Sequence, residues 1–257
     1  MPKFVRLVVP ALLGALLGCT RQAQTAPDGG LSPAPSAQRR AEAGPPPPPA
    51  VSVEGRVLWR GPRPVPAKLP TSASVRSVCG NEVEDDAFQV DVDGGVAEVV
   101  AWVDAKAEPI PSPSPEAVLD QRGCLYRPAV LAARAGGTLR LRNSDPLTHT
   151  VHAASQGKSL FDVAMPLEHM ELVRQLPVEP AVVEVRCDVH PWMRASVRTF
   201  DHPHFATTRK DGHFEITGVS PGGAELHVWH PRLGEASRHV QVGNGVTHAD
   251  FEFGGPP

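Results

Sequence analysis

The sequence predicts an all-β protein, a sandwich or a barrel, on three observations. Short runs of alternating apolar and polar residues recur through residues 51–257. No long stretch keeps the period of an amphipathic helix. Glycine and proline punctuate the runs as turns do. Residues 51–257 are long enough for two small domains, behind a signal peptide and a Pro-rich segment expected to be disordered.

At the N-terminus, Lys3 and Arg6 precede an apolar run from Val8 to Leu17, which Gly18-Cys19 closes. A basic start and a short apolar run make a secretion signal, and the run is too short to span a bilayer. Leu16-Leu17-Gly18-Cys19 resembles the bacterial lipobox, whose cysteine takes a lipid and becomes the mature first residue. That resemblance makes residues 1–19 a lipoprotein signal peptide and Cys19 the lipidated residue. Thr20, in place of aspartate, implies the outer membrane. The chain is therefore expected to cross the inner membrane and stay lipid-anchored, facing the periplasm or the cell surface.

Residues 20–50 are rich in Pro, Ala, Gly, Gln and Ser, with five prolines at 45–49 and one large apolar residue, Leu31. Such a segment buries too little surface to offset its ordering entropy. It reads as a tether, stiffest where proline dominates. Loss of residues 1–18 removes Lys3 and Arg6 and moves the net charge from −3 to −5. That mild acidity gives no sign of nucleic-acid binding.

Val51 to Trp59 alternates and is expected as a strand. Ala87–Val92 and Val96–Val103 are expected as a hairpin around Asp93-Gly94-Gly95. Pro109, Pro111, Pro113 and Pro115 force an extended loop. These early strands are expected to complete the sandwich that follows, over residues 51–200.

Four cysteines are present, and with Cys19 lipidated three remain in an oxidising compartment. Cys79 and Cys124 lie in loop-like surroundings and are read as a disulfide. The leftover thiol is Cys187. In Val182-Val183-Glu184-Val185-Arg186-Cys187, alternation puts Val183, Val185 and Cys187 on one face, so the thiol points inward as the strand ends. His190 and Met193 follow in a tight loop. A thiolate, an imidazole and a thioether form a soft set suited to copper, and a trigonal site of this kind needs one more histidine. A single cysteine with methionine is a poor zinc set. Upstream, Leu139 and Leu141 point inward, Ser144-Asp145-Pro146 turns the chain, and His149 shares a face with Val151. His149 is thus the expected fourth ligand, and His152 faces solvent or lies just behind the ligands.

Cys187-x-x-His190-Pro191-x-Met193, preceded by Asn143, Pro146, His149, Val151 and His152, resembles the cupredoxins, with a loop spacing most similar to amicyanin. Gly136-Gly137 and Tyr126-Arg127-Pro128 are similar to the usual run-up. The resemblance covers roughly residues 120–200, with 51–119 a weaker extension. It implies a Greek-key sandwich with one copper ion held by His149, Cys187, His190 and Met193. Cupredoxins commonly place Asn directly after the first histidine; here Thr150 stands there, and Thr150 and Asn143 are the residues expected just behind the ligands. By the same resemblance His190 is the outermost ligand, and Pro191 and Trp192 form an apolar patch for docking a redox partner protein.

Beyond about Asp201 the pattern changes. Asp211-Gly212-His213-Phe214-Glu215-Ile216 and Val219-Ser220-Pro221-Gly222 resemble the carboxypeptidase regulatory-like, transthyretin-like (prealbumin-like) β-sandwich, which gives residues 201–257 as a second, accessory domain. His202-Pro203-His204 resembles the paired histidine motifs of multicopper oxidases, but those enzymes need several such pairs and one is present; these two, with His227 and His230, which show no ligand spacing, read as solvated. No Ser/His/Asp elbow, phosphate loop or paired-acid pattern occurs, so catalysis is not expected. Three function classes follow. One-electron transfer comes first, copper sequestration or delivery second, and a surface adhesion or carbohydrate-binding module third.

Overall fold

The computed structural model describes residues 51–106 and 116–254, which fall in one compact unit. The signal peptide, the Cys19 anchor, the tether and the proline loop from Pro109 to Pro115 lie outside the described residues. The described residues are all-β, with nineteen strands, a 3-10 turn at Ala73–Val75 and a four-residue helix at Arg76–Cys79.

Two sandwiches share this unit. In the first, a five-stranded sheet runs in the spatial order Lys158–Met165, His149–Ser155, Val182–Arg186, Arg194–Phe200, Val130–Arg134. A second sheet runs Glu171–Gln175, Thr138–Asn143, Ala117–Gln121, Tyr126–Arg127. The chain passes from one sheet to the other between Arg134 and Thr138 and again between Asn143 and His149. Strict alternation decides the core: Leu139, Leu141 and Leu119 from one sheet meet Val151, Ala153, Val183, Val185 and Val197 from the other. Burying each such side chain contributes roughly 1.5–3 kcal/mol.

In the second sandwich, Ser52–Trp59 pairs antiparallel with His213–Thr217 and parallel with Val246–His248 and Phe251–Phe253. The other sheet runs Phe205–Thr207, Val100–Val103, Gly222–His230, Gly234–Val242. Val53, Val57, Val99, Phe214, Ile216 and Val228 fill the core between them. The turn at Asp211-Gly212 brings Gly212 against the first strand. Its φ is +78°, and a Cβ there would lie 2.4 Å from the Val57 carbonyl oxygen. Only glycine fits both constraints.

This pairing corrects the expected boundary at residue 200. Residues 51–103 do not complete the first sandwich. Ser52–Trp59 and Val100–Val103 pair with partners beyond residue 204, Val53 opposite Ile216 and Trp102 opposite Phe205, while Lys68–Pro70 and Glu82–Glu84 pair with each other. Strand partners are chosen by matching apolar faces, which sequence proximity does not dictate. The strands from Ala117 to Phe200 are thus spliced into a host sandwich built from both flanks. The expected 87–103 hairpin shrinks to a turn closed by a Val90–Val96 bridge, because Val100–Val103 pairs with Gly222–His230 instead.

The two sandwiches meet at Trp102, Val130 and Phe200, with the Arg198 guanidinium 4.0 Å over the Trp102 ring. Glu98 reinforces the join, accepting the Ala129 and Val130 N–H groups at 2.8 and 3.0 Å. The histidine expectations also need correction. His202 and His230 are buried, not solvated. His202 sits beside the Phe200 ring, and His230 makes two backbone hydrogen bonds that satisfy both its nitrogens.

Candidate metal centre

At one end of the first sandwich three side chains converge. His149 begins a strand whose inward positions are His149, Val151 and Ala153. Cys187 directly follows Val182–Arg186, whose inward positions are Val183 and Val185. His190 stands in the tight loop after it. That loop is closed by Met193 N–H donating to His190 O at 2.9 Å and Cys187 N–H donating to Met193 O at 3.2 Å. The ligand-capable atoms of His149, Cys187 and His190 all lie within 4.8 Å of one another, and all three residues are buried. The two Nδ1 atoms face each other at 2.9 Å, and His190 Nδ1 is 3.7 Å from Cys187 Sγ. Met193 is fully buried in the apolar cluster that holds Cys187.

The electrostatics suit a bound cation. Burial by itself would push the Cys187 thiol up; hydrogen bonding from His149 and from the Thr150 N–H and hydroxyl outweighs burial and lowers it. Burial likewise opposes charge on His149, yet Asp145 and Cys187 raise its pKa. Burial lowers the pKa of His190, and the neighbouring His149 lowers it further. Asp145, resisted by burial, is held below its usual range by His149 and by the Cys124 and Gly123 N–H groups. A thiol whose pKa is lowered and a carboxylate thus lie beside two imidazoles whose Nδ1 atoms face each other. Two imidazoles and a thiolate in a closed site are a soft donor set that fits copper.

The residues expected behind the ligands are placed as follows. Thr150 donates its N–H to Cys187 Sγ at 3.3 Å and its hydroxyl lies 3.7 Å from the same sulfur. The hydroxyl also accepts the Asp188 N–H at 2.7 Å, tying the histidine strand to the cysteine loop. Asn143 is buried and its amide donates to the carbonyls of Leu147, Met165 and Leu167, which fixes the loops around His149. Pro191 is exposed. Trp192 is half-buried, its ring 5.1 Å from that of His190 and its Nε1–H donating to Cys124 O at 2.9 Å. Cys79 and Cys124 form a disulfide, and Cys187 is the free cysteine of the described residues. His152 is half-buried and turned away, bonded to Asp188 and Arg186.

Two residues of the site escaped the sequence reading. Asp145 bonds His149 Nε2 at 3.1 Å; the signal for it was a carboxylate four residues before a ligand histidine, in a motif read only as a turn. Met165 lies opposite His149 in the strand register, fully buried, with Gln121 Nε2 donating to its sulfur at 2.9 Å. Neither contact follows from alternation within one strand.

No family model matches the chain, and no curated protein matches it. Solved structures similar to it include cupredoxins. The purple cupredoxin from Nitrosopumilus maritimus is 23% identical over 33% of this chain and 99% of its own, with a TM-score of 0.29. A Cu(I) amicyanin variant is 17% identical over 39% and 98%, with a TM-score of 0.30. The Cu-containing nitrite reductase from Thermus scotoductus SA-01 is 16% identical, with a TM-score of 0.30. It aligns with 38% of this chain, which covers 25% of that enzyme's length. The chemistry of the site rests on the side chains described above.

Proposed function

We propose that this chain is a copper-binding electron-transfer protein in which His149, Cys187, His190 and Met193 hold one copper ion. The convergence of two imidazole Nδ1 atoms and one thiol in a buried pocket carries this reading. Bound there, copper would supply one-electron redox chemistry. The chain's own residues keep the donors in place. Thr150 aims two donors at Cys187 Sγ and favours the thiolate, Asp145 orients His149, and Met193 closes the loop through its backbone. Donors fixed this firmly move little between two oxidation states, which suits electron exchange.

Several expectations belong to the same proposal. A redox partner protein docks at the exposed Pro191 and the half-buried Trp192, beside His190. Cys19 carries a lipid and the Pro-rich segment holds the module off a membrane surface, the outer membrane by the lipobox resemblance. No helix among the described residues is long and apolar enough to cross a membrane.

The test is to add one equivalent of Cu(II) to the purified chain and record the visible spectrum, with Cys187→Ala alongside. An intense thiolate-to-copper band, absent from the variant and reversibly bleached by a reductant without copper loss, is expected. A colourless protein that retains no stoichiometric copper would sink the proposal. Transfer of Cu(I) to an acceptor, without reversible oxidation, would assign sequestration or delivery instead.

A further inference from the structure

Asp145 is 5% exposed and its carboxylate makes three hydrogen bonds. Its Oδ2 takes His149 Nε2 at 3.1 Å and the Cys124 N–H at 2.8 Å, while Oδ1 takes the Gly123 N–H at 2.7 Å. Gly123 and Cys124 both have positive φ, +64° and +61°. They form the tight turn between Arg122 and Leu125, and their adjacent N–H groups converge on the one carboxylate as an anion-binding nest. The same Cys124 is bonded to Cys79, and its carbonyl accepts Trp192 Nε1–H, the ring that packs on His190. The backbone of one half-cystine therefore touches the groups that hold both histidines.

We infer that Asp145 is the positioning residue for His149 and that the Cys79–Cys124 disulfide acts on the copper site through it. This rests on the copper reading above. A carboxylate on the far nitrogen of a ligand imidazole fixes its tautomer and makes it a stronger donor. The nest at 123–124 fixes the carboxylate, and the disulfide fixes the nest. Removing any of the three slackens the same imidazole.

The experiment uses the full chain with Asp145→Asn, with Cys79→Ser/Cys124→Ser, and with all three changes. Cu(I) affinity is read by competition with a chromophoric chelator, and reduction potential by voltammetry. Loss of an outer hydrogen-bond partner typically costs about 10–100-fold in metal affinity. That loss is expected for Asp145→Asn, together with a higher potential, because an anionic partner no longer favours the oxidised metal. The serine pair is expected to shift affinity in the same direction. The triple variant is expected to lose no more than the worse of the two, because effects passing through one group do not add. Folded Asp145→Asn with wild-type affinity and potential overturns the inference, as do losses that multiply in the triple variant. If Asp145→Asn does not fold, the serine pair decides alone, and unchanged affinity overturns it. A wild-type chain that takes up no copper removes the copper reading and this inference with it. A wild-type chain that binds copper beside unaffected variants removes this inference only.

Discussion

Thr150 and Cys187 are joined twice across the pocket, by the Thr150 N–H at 3.3 Å and its hydroxyl at 3.7 Å from the sulfur. The hydroxyl also holds Asp188 N–H at 2.7 Å. Thr150→Val keeps the branched shape and the backbone donor but deletes the hydroxyl. The expected stability loss is about 1 kcal/mol, the usual net value of one hydrogen bond. Copper is expected to leave faster to a chelator, because the cysteine loop is no longer tied to the histidine strand. Release kinetics identical to wild type would show that the hydroxyl does not brace the site.

His230 predicts a pH dependence away from the pocket. Burial holds its pKa down at about 4, and the nearby Arg232 adds to this against the raising effect of the Ala87 carbonyl. In the unfolded chain a histidine titrates near about 6.5. Between those values the unfolded chain takes a proton that the native chain refuses. The contribution is therefore complete above about 6.5 and is lost as pH falls toward 4, on the order of 3 kcal/mol in total. Urea midpoints from pH 7 to 4.5 are expected to fall, and to fall less steeply in His230→Phe, which starts lower because its two backbone bonds are gone. Parallel pH slopes in the two proteins would contradict this.

Gly212→Ala tests the host sandwich. The added Cβ meets the Val57 carbonyl oxygen at 2.4 Å in a conformation that L side chains avoid. A non-glycine residue in the left-handed region costs roughly 1–3 kcal/mol before any clash. The variant is expected to lose at least that in chemical denaturation, with His149, Cys187, His190 and Met193 untouched. A variant as stable as wild type would mean that this turn does not pin the Val57 strand.

A chain ending at residue 200 is expected to fold poorly. It removes His213–Thr217, Val246–His248 and Phe251–Phe253, every strand that pairs with Ser52–Trp59. Val53, Val57 and Val99 lose their cover, and the bare strand edge invites association. Light scattering of the truncated and intact chains compares them directly. A monomeric, cooperatively unfolding product would restore the boundary first read from the sequence.

The pocket was legible where the physics is local. Period-two alternation on two strands fixed the inward side of His149 and Cys187, because a half-buried strand has only one face to bury. Cysteine counting identified the disulfide for the same kind of reason, since it needed only the compartment and the neighbours. What the sequence withheld was long-range. Asp145 bonds residues 21 and 22 positions away, and Val53 finds Ile216 across the whole inserted sandwich. His202 and His230 read as surface residues because burial of a polar ring depends on backbone partners that arrive from elsewhere in the chain.

The splicing of one sandwich into another sets an order of assembly. Every strand of the inserted module lies between Ala117 and Phe200, so its pairings are all available once residue 200 has been made. The host must wait longer, because Ser52–Trp59 takes its antiparallel partner from His213–Thr217 and its parallel partners from Val246–His248 and Phe251–Phe253. Pairings between distant segments are slow to form. The metal-binding half can therefore be finished while its host is still open. The pocket of His149, Cys187 and His190 can mature first, and the outer sandwich closes around its two connecting segments like a clasp.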